Sequence, residues 1–248
     1  MPQPDSTLQA GSLSPAVNFP GRGLAGGLGA VMLTLGPLQF FIIERIAASA
    51  WKNDSYSFYD NFISDLGVTN GPTVYQDRMV DSPLGWLMNL SFIVLGILVG
   101  SGIFTLSRSL QAGRHHTWVR GIGIGFGIGA ILVGLFPENS VEFAHIIGAF
   151  LNIGLGNILL FVVGAAGHRY GMARWFSHAV ILMGAVGSLA MIGLATFPPF
   201  FNGAVERVAA YPYMVTLIVL GGCAVARAGH DVVPATAQRS DNRTQGKR

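Results

Sequence analysis

Cysteine occurs once in 248 residues, at position 223, and lysine only twice. A single thiol makes no intramolecular disulfide, so the chain is not a disulfide scaffold. Charge is equally scarce. Asp, Glu, Lys and Arg together make up 11% of the residues, less than half of the roughly 25% found in soluble domains. A water-soluble fold needs a polar skin, which so few charges cannot supply. With 51% hydrophobic residues and a mean hydropathy of +0.51, a disordered chain is excluded too. These absences exclude a soluble enzyme and leave a chain whose outer surface faces lipid.

The apolar residues fall into six blocks, at 24–43, 84–106, 118–136, 145–167, 179–197 and 208–226. Each is close to the ~20 residues that cross a bilayer as a helix, so the expected fold is all-α: six transmembrane helices in one domain over 23–227. Residues 1–22, rich in Pro, Ser, Gly and Gln, lack the basic start and apolar run of a secretory signal. They and residues 228–248 read as disordered tails.

Orientation follows from the basic residues. With both termini in the cytoplasm, 11 of the 15 lie inside and only Arg45, Lys52, Arg78 and Arg207 lie outside. Positive residues are retained in the cytoplasm, so the expected topology is N-in and C-in, in a plasma (inner) membrane. Nine of the 12 acids then lie outside. The basic pI thus reports membrane topology, and no basic-aromatic patch suggests nucleic-acid binding. Thirteen arginines against two lysines point to a bacterial source with a GC-rich genome. His115, His116, His168 and His178 sit with arginines at the inner interface, where they suit anionic head groups.

Glycine is abundant, 34 residues. In the third block Gly121, Gly125 and Gly129 share one helical face, and Gly123 and Gly127 form a second groove. Small residues four apart let helices approach closely in lipid, within a bundle or against a partner protein. The same run contains the letters GxGxxG, but the dinucleotide fingerprint requires a βαβ unit, which is missing here.

Polar chemistry gathers in the outer connections. The first, 44–83, is long and aromatic, as functional loops often are, and Asp65 lies near its centre. Ser82, or Asp81 beside it, suits the N-cap of the second helix, with Pro83 at its first position. In the second connection Asn139 and Glu142 have capping-box spacing, which leaves Glu138 without a structural explanation. His145 and Asn152 fall on one face of the fourth helix with Gly148 and Gly156. The third connection carries Glu206 and Arg207, while Asn89 lies in the second helix. Ionisable residues at membrane depth face protein or water and often mark function.

Two interpretations stay open for this set. The residues tie loops to helix ends, or they meet in one outward-facing polar pocket roofed by the first loop. In the pocket, Asp65 or Glu138 would act as general base with His145 as partner. Glu206, Arg207, Asn89, Asn152 and Ser82 would bind the ligand, with Arg207 on a phosphate or carboxylate. The substrate would be a lipid or an envelope precursor at the outer leaflet; an accessory protein and a small-solute transporter are the rivals. No HExxH or histidine cluster supports a zinc site, no Gly-x-Ser-x-Gly supports a serine nucleophile, and no cofactor is indicated.

Several of these residues belong to a pattern. Ile63-Ser64-Asp65-Leu66-Gly67 is followed by Ser82-Pro83 and Met88-Asn89-Leu90-Ser91-Phe92. Then come Gly134-Leu135-Phe136-Pro137-Glu138-Asn139, His145-Ile146-Ile147-Gly148-Ala149 and Glu206-Arg207. In order and spacing, over about residues 28–225, the chain resembles domain-of-unknown-function family 998, a group of multi-span prokaryotic membrane proteins. The resemblance implies a six-helix integral membrane protein and brings no activity or catalytic residue with it.

Overall fold

The computed structural model describes residues 24–52, 55–108, 114–196 and 201–230; both tails expected to be disordered lie outside these, apart from 228–230. The chain forms α1 (Leu24–Ser49), α2 (Gly85–Arg108), α3 (Arg114–Leu135), α4 (Glu142–Ala149), α5 (Leu155–Ala165), α6 (Arg174–Thr196) and α7 (Asn202–His230). A π turn, Phe150–Gly154, joins α4 to α5 into one continuous fourth span. Six helical segments are thus long and apolar enough to cross a membrane, and the protein is a multi-pass membrane protein. Consecutive spans pack side by side, and α7 returns to pack on α1. The six form a closed ring.

Helices α1 and α7 run past their apolar blocks through Glu44 and Arg207, charges that pair with each other at 2.9 Å. In α1, Leu33, Phe40 and Ala47 recur every seven residues on the buried face, and Glu44 falls on that face as well. Leu28, Leu35, Ile42 and Ile46 form the opposite, exposed stripe, the surface that meets lipid.

Glycines set the closest crossings. A Cβ on Gly127 of α3 would stand 2.7 Å from the Gly96 carbonyl oxygen of α2, and one on Gly96 would stand 2.5 Å from that of Gly127. Gly129 and Gly148 make the matching contact between α3 and α4. The two glycine grooves of α3 therefore serve different neighbours, except at Gly121, beside which nothing lies within 4 Å. Phe126 and Tyr213, both wholly buried, meet edge-to-face at 5.4 Å and join α3 to α7.

Between α1 and α2 the chain folds over one end of the ring. It contains a 3-10 turn, Ser64–Gly67, and a hairpin of β1 (Thr73–Tyr75) and β2 (Arg78–Val80). At the hairpin tip Gln76 and Asp77 take positive φ angles of 45° and 61°, the conformation that two-residue hairpin turns require.

Candidate functional site

The connecting segment is held down from both sides. The Asn89 amide of α2 donates to the Gly67 carbonyl at 2.7 Å, and the Ser82 hydroxyl donates to the Leu66 carbonyl at 2.7 Å. Four residues of the 3-10 turn are consequently buried, Asp65 completely. On the α7 side the tie is ionic. Arg207 lies 2.9 Å from the Glu44 carboxylate, which is itself wholly buried. Its remaining donors reach the Tyr56 and Tyr211 hydroxyls and the carbonyls of Phe58, Asn61 and Gly203. Every guanidinium nitrogen is engaged. Tyr56 in turn donates to the Phe62 carbonyl at 2.6 Å, and burial pushes its phenol well above the usual range.

Beside this clasp lies a cavity of about 220 Å³. Its polar end is made by Ser64 and Tyr75 of the connecting segment, Glu138 of the α3–α4 turn, Glu142 and His145 of α4, and Glu206 of α7. Its apolar end is made by Ile146, Ala149 and Phe150 of the fourth span and by Met191, Leu194 and Ala195 of α6. Phe150 and Ile146 are about half exposed on the lipid-facing side. The cavity therefore lies against the membrane phase as well as beneath the hairpin.

Asp65 stands behind the polar end. One oxygen accepts from Arg78 of β2 at 2.9 Å, the other from the Phe62 backbone N–H at 2.8 Å. Glu138 lies near Asp65, and its carboxyl is raised well above the usual range, first by burial and then by the Asp65 charge. Arg78 approaches Glu138 Oε1 only to 4.0 Å, and that oxygen has no hydrogen-bond partner although it is buried. Tyr75 is pushed up to about 12, by burial and then by Glu138 and Glu142. Glu206 accepts the Ile63 backbone N–H. His145 Nδ1 lies 2.9 Å from the Phe136 carbonyl; a carbonyl only accepts, so Nδ1 carries a proton, and in the neutral form of the ring Nε2 is an acceptor. Chemically, this end of the cavity can hold a cation or exchange a proton. Among the described residues no group of three or more His, Cys, Asp or Glu is placed to hold a metal ion.

A family model described as "Protein of unknown function (DUF998)" matches residues 34–222. The chain belongs to the DUF998 family. The match runs from α1 into α7 and encloses the whole cavity. No curated protein and no solved structure matches the chain.

Within this DUF998 fold the eight residues singled out from the sequence separate into a group of four, a group of three and Asn152 by itself. Glu138, His145 and Glu206 line the cavity, with Asp65 against Glu138. Asn89, Ser82 and Arg207 do not line it and tie the connecting segment instead. Asn152, in the π turn, accepts the Tyr213 hydroxyl at 2.8 Å. The Arg207 guanidinium bonds within the protein through all three nitrogens. The capping box is corrected by the structure. Asn139 bonds the Thr69 backbone at 2.7 Å, Glu142 accepts from Tyr75 and Gln76, and the residue before α4 is Val141, without a side-chain cap.

Arg78, Tyr75, Ser64 and Glu44 are the participants that the sequence did not single out. For Arg78 and Tyr75 the sequence offers only two three-residue β-prone runs around Gln76-Asp77, a pair that is not one of the usual hairpin-turn dipeptides.

Proposed function

We propose that this protein binds an amphiphile of the membrane, with its polar head at Glu138 and its chain along the fourth span and α6. One observation carries this reading: a single cavity has carboxyl groups at one end and lipid-facing apolar side chains at the other. A water-soluble ligand would not need the apolar end, and a wholly apolar one would leave the carboxyls unpaired. We further propose that the cavity opens to the outer leaflet of a bacterial plasma membrane, because the 11-to-4 split of basic residues places the hairpin outside.

The reading is tested by filling the cavity. Ala149→Trp places an indole between the fourth span and α6, and lipid co-purifying with the protein, measured by mass spectrometry, should fall several-fold. Equal lipid in wild type and variant, with the variant folded, overturns it.

A second reading, enzymatic turnover of a lipid or envelope precursor, is favoured by Glu138 beside Asp65, since a carboxyl held well above the usual range by burial and a neighbouring acid is suited to general acid catalysis. His145, with an acceptor Nε2, would receive or return a proton. Lipid profiling of a deletion strain complemented with wild type, Glu138→Gln or His145→Ala tests it. Full complementation by both variants overturns it.

A further inference from the structure

The amphiphile site proposed above has more acid than base at its polar end, and that imbalance bears on the chemistry of the head. Glu138, Glu142 and Glu206 all contribute to the wall, and Asp65 adds its charge from behind Glu138. Neither nearby cation belongs to the wall. Arg78 is paired with Asp65 at 2.9 Å through one nitrogen and stands 4.0 Å from Glu138, outside the lining, and Arg207 turns to Glu44. A phosphate or carboxylate head would meet carboxylates with no guanidinium to receive it.

A second observation concerns one atom. Glu138 Oε1 is buried and has no hydrogen-bond donor, while its side chain is 7% exposed and faces the cavity. Folded proteins rarely leave such an acceptor unpaired, and the exceptions are commonly places where something else donates. The other two wall carboxylates are already in use, Glu206 by the Ile63 N–H and Glu142 by Tyr75 and Gln76. They contribute negative potential, whereas Glu138 offers a bond.

We propose that the head of the amphiphile is an amine, bound as its ammonium, donating to Glu138 Oε1 within the field of Glu142 and Glu206. This rests on the amphiphile reading and narrows it. An ammonium has three donors and a charge; a hydroxyl head matches the unpaired oxygen but not the surplus of acid. A bare metal ion is not matched, as no ligand group of the required kind occurs among the described residues.

The test uses the purified full chain in a non-ionic detergent and three probes with one tail: dodecylamine, dodecanol and dodecyl phosphate, with binding followed by native mass spectrometry. Dodecylamine should bind at least about tenfold tighter than either competitor, because the ammonium favours the ionised form of Glu138 over its protonated form and a charge-assisted bond outweighs a neutral one. Glu138→Gln should cut that advantage to about threefold or less while dodecanol affinity holds. Equal binding of all three overturns the amine assignment and leaves the amphiphile site standing. Tighter binding of dodecyl phosphate also overturns it. Failure of all three to bind overturns both.

Discussion

Glu44 of α1 and Arg207 of α7, 163 positions apart in the chain, form an ion pair at 2.9 Å in which the carboxylate is wholly buried. It closes the ring where its first and last spans meet. It also anchors the segment that roofs the cavity, because the same guanidinium holds Tyr56, Phe58 and Asn61.

Removing one partner leaves the other charge buried and unpaired. Glu44→Gln or Arg207→Met should each cost about 3–5 kcal/mol, the usual range for a broken buried pair. Thermal unfolding in detergent measures it. The Glu44→Met/Arg207→Met double variant should lose less than the two single losses added together; strict additivity would show that the two charges are not coupled.

The pH dependence of stability should carry the sign of a raised carboxyl. Glu138 faces Asp65 and Ser64 of the 3-10 turn, Arg78 and Tyr75 of the hairpin, Glu142 and His145 of α4, and Glu206 of α7. Because its folded-state pKa lies above the ordinary value near 4.5, the folded protein binds the extra proton. Stability should therefore fall as pH rises above about 4.5, by at most ~1.4 kcal/mol per pH unit, until the folded-state carboxyl has ionised. Glu138→Gln should remove this component and make the protein more stable than wild type at neutral pH. A variant whose slope matches wild type from pH 5 to 7.5 contradicts the raised carboxyl of Glu138.

Glycine substitutions in α3 should divide by neighbour. Gly127→Val drives a side chain into the Gly96 backbone and should destabilise by at least about 2–3 kcal/mol, the scale of overpacking. Gly121→Ala, with nothing within 4 Å, should be neutral or slightly stabilising. Melting curves of the two variants in one detergent suffice; similar losses at both positions would deny the close α2–α3 crossing.

Topology is accessible through the lone cysteine. In a Cys223→Ala background, Val74→Cys on the hairpin should react with a membrane-impermeant maleimide added to intact cells. His168→Cys, at the opposite end, should react only after lysis. Both positions are exposed. The reverse pattern would invert the proposed orientation.

The spans were legible because apolar blocks and bilayer thickness leave few alternatives. Their ends were not. Reading Glu44 and Arg45 as a boundary was natural, since a charge normally stops a span, but α1 continues through them to Ser49, with Glu44 neutralised by a partner far along the chain. The same distance concealed the role of Arg207. Asp65, Glu138, His145 and Glu206 were legible as ionisable groups on one side of the membrane, which is a matter of order along the chain. Arg78 and Tyr75 were missed because three-residue strands produce almost no periodicity. Asn139 and Glu142 matched a local motif, yet their partners Thr69, Tyr75 and Gln76 lie on another segment. Spacing could not foresee that competition.

The π turn at Phe150–Gly154 makes the fourth span sensitive to its own length. One residue corresponds to about 100° of helical rotation, so the turn is a phase shift between two halves that face different neighbours. Below it, Asn157 is locked to the Ala209 carbonyl and Gly156 lies against Tyr213. Above it, His145 looks into the cavity. Deleting Leu151 would let an uninterrupted α-helix form and would turn the upper half by roughly a quarter of a revolution. His145 would then point away from Glu138 while composition, hydropathy and span count stayed almost the same. In this chain the reading frame of that helix, counted in single residues, is as much a part of the candidate site as the side chains that line it.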